Sequence, residues 1–333
     1  MQPKELSPAM QLANMSRWYV VSRGIHTIAQ LGLANHMSNE PLDVQQLAKL
    51  SGTRSDMLER LLKFLSAYGL FKEENNCFAL TPLSQPLRDD DPHSMRDVLR
   101  LADDSWWQAF SCIDQSLKSG ESAFSHQHGD DFFSFLGNHP EKQHNFDRGM
   151  AKLSSYDDKL IVETCDLGQA KHLVDMGAGR GGLSQAFAKK YPQLAVTLFD
   201  TPAVINQLNM KDFPAQIRFE SGDFMKEIPV ADNYIFKGVL HDFNDELMLK
   251  ILKNCKQRMP ATASLIIAEQ IMPESPGPHP NKTMDIVMMV LLAGRQRTLN
   301  EWKKSIEPAG FIFQEALPTN SLFTVMKFKP EPR

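Results

Sequence analysis

The chain has 333 residues, of which 42% are hydrophobic and 23% charged; that length holds two folded units or one large one, and that composition excludes a disordered chain or a disulfide-built miniature. Lys and Arg number 36 against 40 Asp and Glu, a net charge of -4, so the whole-chain field offers nucleic acid no attraction. No apolar run reaches the ~18 residues of a membrane span, and the opening MQPKELSPAM lacks the charged-then-apolar pattern of a secretory signal; a cytoplasmic address with no membrane partner is expected.

Residues 10–37 carry apolar side chains at helical spacing on more than one face and contain no proline, which predicts one or two helices with more apolar surface than a monomer needs. Next come an amphipathic helix from Val44 to Leu50 ending at Gly52, a second from Ser55 to Tyr68, and a hairpin in LFKEENNCFALT around Glu74, Asn75 and Asn76. This is the pattern of a winged helix. DNA binding is the hypothesis it prompts, and the charges oppose it. Residues 1–105 hold 11 Lys and Arg against 13 Asp and Glu, and the second helix mixes Arg54, Arg60 and Lys63 with Asp56 and Glu59, so the basic face that phosphate neutralisation requires is missing.

From Pro82 to about Tyr156 the chain reads as loop followed by helices rich in aromatic residues. Most of these rings are expected to pack between domains, and a minority to wall a pocket for a planar ligand. Beyond Lys159 short apolar runs alternate with helical segments: KHLVDMGAG, AVTLFDT, IRFESGD, NYIFKGVLHD and ASLIIAEQIM. That alternation predicts an α/β fold, a parallel sheet with helices on both faces, whose ligands bind outside the carboxyl ends of the strands. The four cysteines, Cys77, Cys112, Cys165 and Cys255, form neither a CxxC nor a Cys/His cluster; reduced core thiols and no metal site are expected.

LVDMGAGRGG places Gly177, Gly179 and Gly181 in a turn that opens a helix, where the backbone approaches a ligand without side-chain interference. A glycine turn alone does not separate a nicotinamide nucleotide from other adenosine ligands. The second strand ends in Asp200, some two dozen residues later, where a carboxylate accepts from both ribose hydroxyls. The third ends in GDF, giving Asp223 for an adenine amino group and Phe224 for the base. Two acids at neighbouring strand ends with no GKS/T motif fit adenosine without phosphate, as in S-adenosyl-L-methionine.

On LVDMGAGRGG, FDTPAVI, ESGDF, FKGVLHDFNDE, IIAEQIMPE, MDIVMMVLLAG and RQRTLNEW the chain resembles the class I S-adenosylmethionine-dependent O-methyltransferases of the hydroxyindole, caffeate and polyketide type. The resemblance covers essentially the whole chain. It implies a Rossmann-like methyltransferase domain at residues 159–333, a winged-helix dimerisation domain at 1–100 through which two copies pair, and a helical linker and active-site cover at 101–158. It also implies cofactor roles for Gly177, Asp200, Asp223, Phe224 and Lys237, and a general-base role for His241.

The expected reaction is methyl transfer to a hydroxyl of a small aromatic acceptor. A phenol has a pKa of ~10 by analogy with tyrosine, so a neutral imidazole with a pKa of ~6.5 takes its proton as attack proceeds. Glu269, at the next strand end, would orient that imidazole; a structural histidine and a solvent-facing acid are the competing readings. Asp242 and Asp285 are weaker candidates for binding or orientation, and Asp245 and Glu246 read as a solvated helix start. Trp107, Phe146, Met150, Met284 and Met288 are candidate walls of the acceptor pocket. Gln296, in GRQRT, stands where the family pattern carries glutamate, so one of two carboxylates beside the histidine is replaced by a neutral amide. Retention of the cofactor for decarboxylation or hydroxylation of an aromatic polyketide is the alternative chemistry, and a DNA-binding regulator the alternative class.

Overall fold

A computed structural model describes residues 6–332. The N-terminal part builds α1 (Pro8–Met15), α2 (Trp18–Leu31), β1 (Leu42–Asp43), α3 (Val44–Ser51), α4 (Ser55–Ser66), β2 (Phe71–Glu74), β3 (Cys77–Leu80) and α5 (Arg96–Leu99). Asp43 caps α3 through the Gln45 amide, and Gly52 closes it in the left-handed conformation. The Asn75-Asn76 pair takes positive φ at both residues, 49° and 61°, which matches a two-residue hairpin turn to the twist of its strands. Ile28, Leu33, Leu47, Leu62, Leu65 and Phe78 form a closed core. By contrast, none of the residues of α1 is buried, and Met10, Leu12, Met15, Trp18 and Tyr19 are exposed.

The short helices α6 (Asp104–Phe110), α7 (Ile113–Ser119), α8 (Ala123–His128) and α9 (Phe132–Asn138) precede the long α10 (Pro140–Thr164). With no glycine or proline between Ala151 and Thr164, α10 runs through the boundary expected after residue 158. Contacts divide the chain into two compact units, one of residues 1–103 with 148–152, the other of 104–147 with 153–333.

The larger unit continues with β4 (His172–Met176), α11 (Gly182–Lys190), β5 (Ala195–Asp200), α12 (Pro202–Ile205), β6 (Ile217–Ser221), β7 (Asn233–Lys237), α13 (Asp245–Arg258), β8 (Ser264–Gln270), α14 (Pro280–Leu292), α15 (Leu299–Ile306), β9 (Phe311–Pro318) and β10 (Phe323–Pro330). Its strands form one seven-stranded sheet in the order β6-β5-β4-β7-β8-β10-β9. The five strands expected from the sequence are parallel; β10 runs antiparallel to β8 and pairs with β9. The sheet is therefore mixed, and its last two strands are a C-terminal hairpin that the alternating pattern did not announce.

Alternate side chains along each strand enter opposite cores, as a period of two requires. Tyr234, Phe236, Leu265 and Ile267 pack with α13 and α15 through Ile251, Leu252 and Trp302. Ile235 and Ile266 pack on the other face with Leu183, Phe187 and Ile161 from α11 and α10. Helices on both faces fix the sheet, and the parallel strand ends carry the residues singled out from the sequence.

Candidate active site

The glycine turn after β4 is held by the Gly177 amide, which donates to Phe199 O at 2.9 Å, and by the Gly179 amide, which donates to Asp200 Oδ2 at 2.8 Å. Gly177 has φ 72°, and a Cβ there would stand 2.9 Å from Val239, so both backbone shape and space demand glycine. Nothing lies within 4 Å of the corresponding point at Gly179, which leaves open space above the turn. The Thr201 amide donates to Asp200 Oδ1 at 2.7 Å. Burial pushes the Asp200 carboxyl up, against the pull of these amides. These two amides and the Thr201 side chain take part of the carboxylate's capacity, and what remains is left for a hydroxyl donor.

Asp223 follows β6, accepting from the Met225 amide at 2.8 Å and lying 3.3 Å from Lys226 Nζ. Phe224 packs edge-on against Phe236 and Phe243, with centroids 6.0 and 5.9 Å apart. An oriented carboxylate pair at adjacent strand ends beside open space and a ring fits an adenosine group.

Lys237 is placed differently from a cofactor-reaching side chain. Its ammonium donates to Ser154 O at 3.0 Å and Oγ at 2.5 Å and to Asp158 Oδ1, so its side chain is committed to α10. Ser154 and Asp158, on α10, went unread in the sequence because nothing in SSYDDK separates a buried acid from its exposed neighbour.

His241 lies on a single 3-10 turn, Leu240–Asp242, just beyond β7. The β7–β8 register sets Lys237 opposite Ala268, which brings Glu269 beneath that turn. One carboxylate oxygen, Glu269 Oε1, accepts from the amides of Val239, Leu240 and His241 at 3.1, 3.0 and 3.3 Å. The other, Oε2, is 3.3 Å from His241 Nδ1. Glu269 is 0% exposed, so it is a buried acid and no solvent-facing one.

Gln296 Nε2 lies 2.7 Å from the same Nδ1, while Asp242 Oδ1 lies 3.3 Å from Nε2 on the ring's far side. Burial pulls the imidazole down in pKa, but Glu269, Asp242 and the Gln296 bond outweigh it and hold the ring above its usual range, with Arg297 opposing them. Burial pushes the Asp242 carboxyl up to about 7.

The loop carrying Gln296, between α14 and α15, approaches this closely because residue 294 is glycine. A Cβ there would lie 2.2 Å from His241 O, and the Arg295 amide donates to that oxygen at 2.9 Å. Asp285 Oδ1 accepts from the Gln296 amide at 2.7 Å, so it seats Gln296. Asp245 is exposed in the first turn of α13, as expected of a helix start, and it also accepts from the fully buried Arg297 at 2.9 and 2.7 Å. Glu246 stays in the first turn of α13.

Met288 is buried and Met284 half-buried on α14. Phe146 packs edge-on against Phe132 at 5.3 Å within a cluster that includes Trp106, Phe124 and Val290, and Trp107 is half-buried on the neighbouring α6. Met150 belongs to the other compact unit and is exposed. No group of acids, cysteines and histidines suited to a metal ion occurs among the described residues.

Comparison with known proteins adds the following. The family model of an O-methyltransferase domain matches residues 110–312, and that of an O-methyltransferase dimerisation domain matches residues 10–89. The chain is 31% identical over 325 residues to phenazine O-methyltransferase PhzM of Lysobacter antibioticus, an alignment covering 96% of this chain and 95% of that one. The crystal structure of LaPhzM superposes with a TM-score of 0.91 at 30% identity, covering 98% of this chain and 100% of that one. CalO1, a methyltransferase of calicheamicin biosynthesis crystallised with SAH, superposes with a TM-score of 0.84 at 26% identity, again over 98% and 100%.

Proposed function

Because the chain belongs to the S-adenosylmethionine-dependent O-methyltransferase family, we propose that it methylates a hydroxyl group of a small aromatic molecule with His241 as general base. When bound, S-adenosyl-L-methionine supplies an activated methyl group on sulfur. Asp200 receives the ribose hydroxyls, Asp223 and Phe224 receive the adenine, and Gly177 and Gly179 let the backbone approach. The observation that carries the reading is the double hold on His241 Nδ1, by Glu269 at 3.3 Å and Gln296 at 2.7 Å.

That hold leaves Nε2 for chemistry. Nε2 takes the acceptor's hydroxyl proton as its oxygen becomes the nucleophile, and the carboxylates of Glu269 and Asp242 stabilise the imidazolium that results. The acceptor is expected to be planar and apolar, in keeping with Met284, Met288, Trp107 and Phe146 and with the phenazine named in the relative from L. antibioticus. A homodimer is proposed through α1 and α2, whose Met10, Leu12, Met15, Trp18 and Tyr19 are exposed among the described residues and fall in the matched dimerisation domain.

The test is incubation of the full chain with S-adenosyl-L-methionine and a panel of phenols, phenazine-like compounds included, with His241→Ala as control. A 10²- to 10⁴-fold loss of kcat is expected, the range for a positioned general base, with cofactor affinity unchanged. Transfer unimpaired by the substitution removes His241 from the mechanism.

A further inference from the structure

The hydrogen bonds around His241 leave one contradiction that chemistry resolves. If the Gln296 NH2 group donates to Nδ1 across the 2.7 Å separation, Nδ1 must hold a lone pair and the ring proton must sit on Nε2. That nitrogen faces Asp242 Oδ1 at 3.3 Å, and a protonated Nε2 is no base. In the same arrangement Glu269 Oε2 and Gln296 Oε1 are both buried acceptors with no hydrogen-bond donor among the described residues, although Gln296 is 2% exposed and Glu269 fully buried. Buried acceptors of this kind are rare because their lost hydration goes uncompensated.

We propose that Gln296 is a positioning residue that presents its carbonyl oxygen to His241, so that Nδ1–H donates to Gln296 Oε1 with Glu269 Oε2 as second acceptor and Nε2 keeps its lone pair. The two ends of a glutamine amide have the same shape, so the exchange moves no other heavy atom. It gives donors to both orphaned oxygens at once and turns the Nε2 lone pair toward Asp242 Oδ1 at 3.3 Å, where it has no donor until the acceptor hydroxyl arrives. The Asp285 carboxylate, 2.7 Å from the Gln296 backbone nitrogen, fixes the residue that carries the amide. This inference rests on the general-base reading of His241 and deepens it: a neutral amide selects the tautomer without adding charge, and the imidazolium is left to Glu269 and Asp242, with Arg297 opposing.

Glutamate at this position would act differently. It would accept from Nδ1–H equally well, yet it would add a carboxylate beside the ring and hold the proton on it to higher pH. The glutamine therefore lets the base become neutral at lower pH than a second glutamate would.

Nitrogen NMR of the full dimer labelled with [15N]histidine, with His241 assigned by comparison with His241→Gln, reads the tautomer without turnover. Above the ring's titration the expected result is a protonated, pyrrole-like Nδ1 and an unprotonated, pyridine-like Nε2; the reverse assignment overturns the proposal. In kinetics Gln296→Leu is expected to lower kcat at least tenfold with the acceptor KM within threefold of wild type. Gln296→Glu, nearly isosteric, is expected to retain the plateau and move the acid limb of the kcat profile up by one pH unit or more. An acid limb in the same place for wild type and Gln296→Glu also overturns it. Should the wild-type chain transfer no methyl group to any phenol, the functional reading fails, while the tautomer measurement still decides the role of Gln296.

Discussion

Replacing Asp158 by asparagine isolates a buried ion pair that joins α10 to the end of β7. Asp158 and Lys237 have side chains only 6% and 8% exposed, so the variant leaves an ammonium in a dry site without its counter-charge. Breaking such a pair from one side costs about 3–5 kcal/mol. Ser154 still offers Lys237 two oxygens, at 3.0 and 2.5 Å, which places the expectation near the lower end, about 3 kcal/mol. At about 2–4 °C per kcal/mol for a unit of this size, the unfolding midpoint should fall by roughly 6–12 °C. The other Asp158 oxygen lies 2.6 Å from the position a Cβ would take on Gly182, at the first turn of α11, where an acid also favours the helix dipole. Cofactor KM should therefore rise as stability falls. Urea unfolding of the full chain at fixed protein concentration is the assay, with Asp158→Leu/Lys237→Met as the second arm, since an apolar pair removes the stranded charge along with its partner. A loss below about 1 kcal/mol in Asp158→Asn, or a double variant no more stable than the single one, refutes the claim that burial makes this pair matter.

Asp200→Ala is expected to weaken S-adenosyl-L-methionine binding by about 10- to 150-fold, the equivalent of one hydrogen bond to a charged group at ~1.5–3 kcal/mol, read by calorimetry, while the acceptor KM stays near wild type. The acid limb of kcat/KM should lie above the ordinary imidazole range because the carboxylates hold His241 up; Asp242→Asn removes one of them and should shift that limb to lower pH, and an upward shift would contradict the assignment. Asp175, fully enclosed and bonded by Ser184 Oγ at 2.7 Å, has its carboxyl pushed by burial from the ordinary carboxyl range up to about 7. An acid raised on folding binds more protons in the native state, so its contribution is fully present below pH ~4 and declines by about 4 kcal/mol as the pH rises to ~7; Asp175→Asn should flatten that part of the stability curve, and an unchanged slope would count against the buried acid.

Most of the parallel strands were legible as short apolar runs closed by a polar or glycine residue, β6 differing in the charged Arg218 and Glu220 of IRFES, and their order of chemistry follows from the ends: the glycine turn, Asp200, Asp223, then His241. The hairpin at Asn75-Asn76 was legible for a local reason, the tolerance of asparagine for positive φ. The strands Phe311–Pro318 and Phe323–Pro330 were not, since FIFQEALP mixes polar residues on an edge strand and reads as neither period clearly. Long-range pairing was equally hidden. Arg297 and Asp245 are 52 positions apart, and Lys237 and Asp158 are 79 apart; composition gives a buried charge no mark, and only the fold decides which acid faces which cation.

Glu269 shows why the histidine's surroundings could be named from sequence but not apportioned. As an orienting group for His241 it needed one oxygen, and that part of its role follows from its place at the end of the neighbouring strand. Its second oxygen collects the three amides of the turn that carries the histidine, a task that no side-chain pattern encodes because the donors are backbone. A substitution at Glu269 therefore removes the seat of the turn together with the partner of the ring, and its loss of activity would speak to both. Gln296 touches the ring through its side chain while its own backbone is held by Asp285 and its neighbour's by His241 O. Changing that amide leaves the turn seated, which makes position 296 the place where orientation of the imidazole separates from construction of the site.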